Sequence, residues 1–158
     1  MSRAAYRSRQ FFGALRPHVD SQLRDEAFAL MSSSEQQLYR SMTPRDQQHC
    51  LVVYARLREM HTEDRDLLVA AMLHDCGKGS ITLWHRVVFV LLDATAPSLL
   101  RRAVAHRPES ALYRCVHHAE LGAQLAETAG SSPAVVELIR GERASDQLVA
   151  LRAADDES

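Results

Sequence analysis

The sequence predicts an all-α protein, and three observations carry that expectation. Glycine and proline are few, 6 and 5 in a chain of 158 residues. Apolar residues fall at helical spacing in most windows, and strand-like alternation is hard to find. Helix-start signals recur: Thr43-Pro44-Arg45-Asp46, Ser131-Ser132-Pro133 and Ser145-Asp146. A mass of 17.7 kDa suits one domain with its own core.

A first helix is predicted over residues 6–15, with Phe11, Phe12 and Leu15 packed inward. Arg3, Arg7, Arg9 and Arg16 flank it with no acid between. That pattern also suits a transit peptide or a surface-seeking helix, but no small-residue cleavage pattern follows. A second helix is predicted over 21–31, a break at Ser32-Ser33-Ser34, and a short helical piece over 35–40. Together, residues 1–42 are expected to pack as N-terminal helices on a domain spanning 43–158. Thr43 caps the next helix, which carries His49, Val52, Val53, Ala55 and Leu57. Thr62 is expected to cap the following one, which ends at His74-Asp75. An apolar helix runs over 83–92. Trp84 and His85 at its head read either as pocket lining or as core and surface. Pro97 begins a short helix with Leu99 and Leu100. Residues 106–110 form a polar loop and a candidate lid. Gly130 ends a helix begun near His117. Val135, Val136, Leu138 and Ile139 form the stripe of the next, and Ser145 caps the last.

A net charge of −1 with scattered arginines leaves no basic stripe for nucleic acid. No apolar run approaches the ~20 residues that span a bilayer. The run 87–92, for one, is closed by Arg86 and Asp93. Three cysteines without CxxC spacing argue against a disulfide framework and for a reducing, cytoplasmic setting.

The chain is organised around Leu73-His74-Asp75-Cys76-Gly77-Lys78, entered from the apolar run 67–73. Adjacent residues on a helix point about 100° apart, so a His-Asp pair shares no face within one. Gly77 is expected to stop the helix in a left-handed conformation, which loosens that geometry. His74 and Asp75 can then turn to one point. Imidazole nitrogen and carboxylate oxygen suit a divalent metal of intermediate softness. Taken alone, the pair also reads as the end of a buried helix. His49, beside the apolar Val52 and Val53, reads as a partly buried histidine or as a ligand. His118, four residues before Gly122, reads as a solvated histidine or as a site residue. Lys78, the chain's only lysine, is exposed or carries charge onto a phosphate; an ammonium has no lone pair for a metal. Cys50 and Cys76 each neighbour a candidate ligand and could serve as thiolate ligands, but a helical neighbour of a ligand points away from its site, so they read as small packing residues.

The segment His74-Asp75-Cys76-Gly77-Lys78 resembles the signature of the HD superfamily of metal-dependent phosphohydrolases, in its HDIG-like branch. The resemblance spans residues 45–155. It implies an HD-domain helical bundle in which His49, His74, Asp75 and Asp155 hold the metal. Asp155 stands in Leu151-x-Ala153-Ala154-Asp155, which is similar to the pattern's closing Ala-Asp, with Asp156 as second choice. Asp75, Lys78 and His118 take the catalytic roles, and Lys78, His118 and Arg143 contact substrate. The implied cofactor is a divalent transition metal, such as Mn, Fe or Zn. The implied substrate is a small phosphate ester, a phosphomonoester or phosphodiester of nucleotide-like character. The Gly-Tyr-Pro element of cyclic-di-GMP phosphodiesterases is absent. Where two-metal relatives carry further histidines, this chain has Gly141-Glu142-Arg143-Ala144. That departure favours one ion over two. It also keeps open a binding or signalling module without turnover.

Overall fold

Short polar residues start the helices. The computed structural model describes residues 21–60, 62–79, 83–105 (side chains from 88 onward), 110–142 and 144–158. Among these residues there are nine α-helices, one 3₁₀ turn and no strand. The elements are α1 (Ser21–Phe28), α2 (Ser33–Ser41), α3 (Pro44–Glu59), α4 (Arg65–Leu73), the turn Cys76–Lys78, α5 (Leu83–Thr95), α6 (Pro97–Ala105), α7 (Ala111–Thr128), α8 (Pro133–Arg140) and α9 (Asp146–Asp156). The expectations for residues 6–15, the side chains of Trp84 and His85, the loop 106–109 and Arg143 lie outside the described residues.

Thr43 accepts from the Asp46 amide at 3.3 Å, and Ser132 and Ser145 cap α8 and α9 in the same way. Two starts differ from expectation. Ser32 does not merely break a helix: with Glu35 it forms a capping box, Glu35 Oε2 accepting from the Ser32 amide at 2.7 Å. Asp64 rather than Thr62 caps α4, accepting from the Leu67 amide at 3.1 Å. Its carboxylate also suits the positive end of the helix. The helix expected over 21–31 stops at Phe28.

All of residues 67–73 are buried, which makes α4 the axis of the fold. Around it lie Leu51, Val53 and Leu57 of α3, Val135 and Ile139 of α8, and Leu148 and Leu151 of α9. Phe28 of α1 and Tyr39 of α2 join this same core. The α5–α6 pair packs on α7, where Leu100 and Val104 are buried outside the main cluster. No helix among the described residues is long and apolar enough to cross a membrane.

The turn after α4 lies against α7 backbone to backbone. A Cβ on Gly77 would meet the His118 carbonyl oxygen at 2.0 Å and the Gly122 amide nitrogen at 2.5 Å. Gly77 is therefore needed for want of space, not for a left-handed stop. The positive φ falls at Gly79, at 58°. We expect Gly77→Ala to lower the denaturant midpoint and to cost at least ~2–3 kcal/mol, as forced overpacking does. Gly122→Ala should cost less, because its nearest obstacle is the Ile139 side chain at 3.2 Å, which can shift. Equal losses for the two variants would contradict this account.

Candidate metal centre

Three separate elements deliver the candidate ligands. His49 sits on α3, His74 and Asp75 follow α4, and Asp155 lies in the last turn of α9. Arg56 is two turns along α3 from His49 and donates to the Ala154 carbonyl at 3.1 Å. That bond ties α9 along α3 and sets Asp155 beside His49.

The donor atoms converge. His49 Nε2 lies 2.8 Å from Asp155 Oδ1 and 3.4 Å from His74 Nε2. His74 Nε2 lies 3.4 Å from Asp75 Oδ1 and 3.5 Å from Asp155 Oδ1. His49 Nε2 lies 3.8 Å from Asp75 Oδ2. Ligands on one ion with bonds of ~2.1 Å stand about 3.0–3.4 Å apart at tetrahedral or octahedral angles. These separations are close to that range. Asp75 is 2% exposed, while Asp155 stays partly open to solvent.

Hydrogen bonds behind the rings aim them. Carbonyl oxygens only accept, so His74 Nδ1 donates to Ala71 O at 2.9 Å. Ser158 Oγ donates to Asp155 O at 2.7 Å and so accepts from His49 Nδ1 at 3.2 Å. Both rings are held with Nδ1 protonated and Nε2 directed to the shared point, the arrangement that ligating histidines use. A lone pair on His49 Nε2 and the Asp155 carboxylate repel at 2.8 Å unless a proton or metal ion lies between them. The donor set fits a divalent ion of intermediate softness.

Charge at this point is balanced within the protein. Burial opposes charge on Asp75, yet His74, Lys78 and His49 together hold its carboxyl below the usual range. Hydrogen bonds from His49 and His74 hold Asp155 well below that range. Burial also opposes charge on His74, but Cys50, Asp155 and Asp75 outweigh it and raise the ring well above ordinary imidazole. Lys78 Nζ sits 2.5 Å from Asp75 Oδ2.

His118 occupies the middle of α7 rather than opening a helix. Its Nδ1 donates to Cys115 O at 3.0 Å, and it lines one cleft with His74 and Asp155. Among the described residues, two groups could hold a metal, His49–His74–Asp155 and Cys50–His74–Asp75, and neither includes His118. Glu142 is exposed and lies outside both groups. Burial and Lys78 lower the His118 pKa. Cys50, read from sequence as a packing residue rather than a thiolate ligand, places Sγ 3.7 Å from His74 Nδ1 and joins His74 and Asp75 in a group that could hold a metal. The expectation that it points away overlooked that a neighbouring helix also faces it. Cys76 is a buried thiol with its pKa pushed up to about 12 by burial. Ser158 and Arg56 escaped the sequence reading. Ser158 lies three residues after Asp155, a spacing that suits local backbone capping and gives no hint of His49.

Two outcomes follow. Below the raised His74 pKa the ring carries a proton that a metal ion must displace, so metal affinity should rise with pH and then level off. Proton release, read by calorimetry in buffers of different ionisation enthalpy, checks this; a pH-independent affinity would contradict it. Conversely, the stability that protonated His74 lends the metal-free fold is present at low pH and lost as pH rises through its raised pKa. Ser158→Ala should weaken metal binding about tenfold, the usual effect of losing a supporting hydrogen bond, with helical content unchanged.

Compared with family models, curated proteins and solved structures, the chain finds no match in any of the three.

Proposed function

We propose that this chain is a metal-dependent phosphohydrolase that cleaves a small phosphate ester, and that it belongs to the HDIG-like branch it resembles. The observation that supports the reading is the gathering of His49, His74 and Asp155, with Asp75 beside both rings and each ring aimed by its Nδ1 bond. A bound divalent ion supplies Lewis-acid polarisation of a phosphoryl oxygen and activates water. The chain's own residues do the rest. Asp75 stays anionic and buried, so it offers a carboxylate at a fixed place. Lys78 brings a positive charge beside that carboxylate and towards an incoming phosphate. His118, kept neutral by burial and Lys78, presents Nε2 to hydrogen-bond substrate or to move a proton. The free thiols suit a reducing setting, which supports a cytoplasmic location.

One ion is favoured over two. A second ion would need Asp75 to bridge, but Asp75 Oδ2 already faces the Lys78 ammonium. That fixed positive charge opposes a second dication. The same contact favours a second reading, a binding or signalling module, because it leaves Asp75 satisfied without any metal.

Elemental analysis of protein purified without added metal, beside a panel of phosphoesters and nucleotides, separates these readings. We expect about one transition-metal ion per chain and hydrolysis of at least one ester. Asp75→Ala should cost more than the ~10–100-fold typical of losing a supporting residue. A metal-loaded wild-type protein that leaves the whole panel intact would favour the module. Two well-occupied ions per chain would overturn the single-ion reading.

A further inference from the structure

The candidate centre opens into a cleft of about 170 Å³ between α7, α8 and α9. His74, His118 and Asp155 line one part of it, and Arg140 and Arg152 line another. Aliphatic side chains of α8 and α9 complete the walls. Both guanidinium groups are held in place. Arg140 Nε donates to Glu120 Oε2 at 2.8 Å. Arg152 donates from an NH2 to Gly141 O at 2.8 Å. Gly141 has φ 72°, a left-handed C-cap that turns the chain away at the end of α8 and leaves its carbonyl to Arg152. Arg152 is one turn before Asp155 on α9, so guanidinium and candidate ligand share a face. Asp155 shares this wall with the two arginines, and Glu120, Glu142 and Glu127 act on Arg140, so the two guanidinium groups offer donors rather than a net positive charge.

We propose that Arg140 and Arg152 form an anion-binding wall that takes a terminal phosphoryl group, so that the substrates are phosphomonoesters rather than diesters. This rests on the phosphohydrolase reading above and deepens it. Guanidinium groups bind phosphoryl oxygens through paired, charge-assisted hydrogen bonds. A terminal phosphoryl group has three exposed oxygens, enough to meet both arginines and still face the histidines and Asp155. A diester has a second substituent where one of those oxygens would be. The cleft is also smaller than the ~300–1,000 Å³ that encloses a drug-sized ligand. It holds the phosphoryl end and leaves the rest of the substrate outside, so recognition is by charge and depends little on the leaving group.

Inorganic phosphate is the common product of such substrates and serves as the probe. Its binding to the full chain is measured by calorimetry, metal-free and metal-loaded, for wild type, Arg140→Gln, Arg152→Gln, the double variant and Glu120→Gln. Each arginine variant should weaken phosphate about tenfold or more, in both metal states, with metal content unchanged. Glu120→Gln breaks the same ion pair as Arg140→Gln but removes a competing carboxylate, so it should bind phosphate as tightly or more tightly. Dimethyl phosphate should compete poorly. A double variant that binds phosphate within twofold of wild type would overturn the proposal. So would a wild type that binds none, or a Glu120→Gln variant as impaired as Arg140→Gln. If phosphate binds through both arginines but no ester is cleaved, the hydrolase reading fails and the anion wall stands. If esters are cleaved while the double variant binds phosphate normally, the anion wall fails and the hydrolase reading stands.

Discussion

The contact of the Cys76–Lys78 turn with the backbone of α7 governs the site. Gly77 faces the His118 carbonyl and the Gly122 amide with no room for a Cβ. Because that approach is backbone on backbone, neither side can yield by changing a rotamer. It fixes where His74 and Asp75 end up after α4. It also carries His118 to the same cleft, since His118 is itself one of the contact residues. Gly122 extends the constraint outward: it touches Ile139 of α8, the helix that ends in Arg140 and Gly141. A single close approach therefore sets the spacing of the candidate metal ligands, His118 and the end of α8 that carries Arg140.

The second constraint is the docking of α9 on α3. Arg56 reaches Ala154, His49 meets Asp155, and Ser158 returns to His49. These three bonds form a short ladder along two helices. Removing one partner leaves polar groups of the others unsatisfied, at roughly 1–3 kcal/mol for a buried group. The ladder closes the candidate centre from the side opposite the turn. Its outer end is partly exposed, as Asp155 is, which leaves a way in from the cleft.

Charge is arranged in pairs that differ in their openness. Asp75 is deep and held by Lys78, whereas Asp155 is half open and held by two histidines. The proton count at the centre thus depends on His74 more than on Asp75 and Asp155, whose carboxyls are held below the usual range. A cation at the shared point replaces a proton on His74 rather than on either acid. Arg140 and Arg152 line the same cleft as the half-open Asp155.

Local physics determined a large part of this protein from sequence alone. The all-α class, the cap at Thr43, the Pro133 and Ser145 starts and the buried run 67–73 follow from neighbours within a few residues, where periodicity and orphan amides act. The sequence pattern pointed to His74, Asp75, His49 and Asp155; in the folded chain His49, His74 and Asp155 gather, and Asp75 lies beside both rings. Packing decided the rest. His49 and Asp155 are 106 residues apart, and only the docking of α9 on α3 brings them to 2.8 Å. The role of Gly77 was misread because a missing Cβ signals tolerance of an unusual φ and of a close neighbour alike, and the neighbour is distant in sequence. The contact of Cys50 with His74, the support of His49 by Ser158 and the shared cleft of Arg140 and Arg152 likewise depend on which helix faces which. Spacing along one chain does not encode that; the burial of α4 on all sides imposes it.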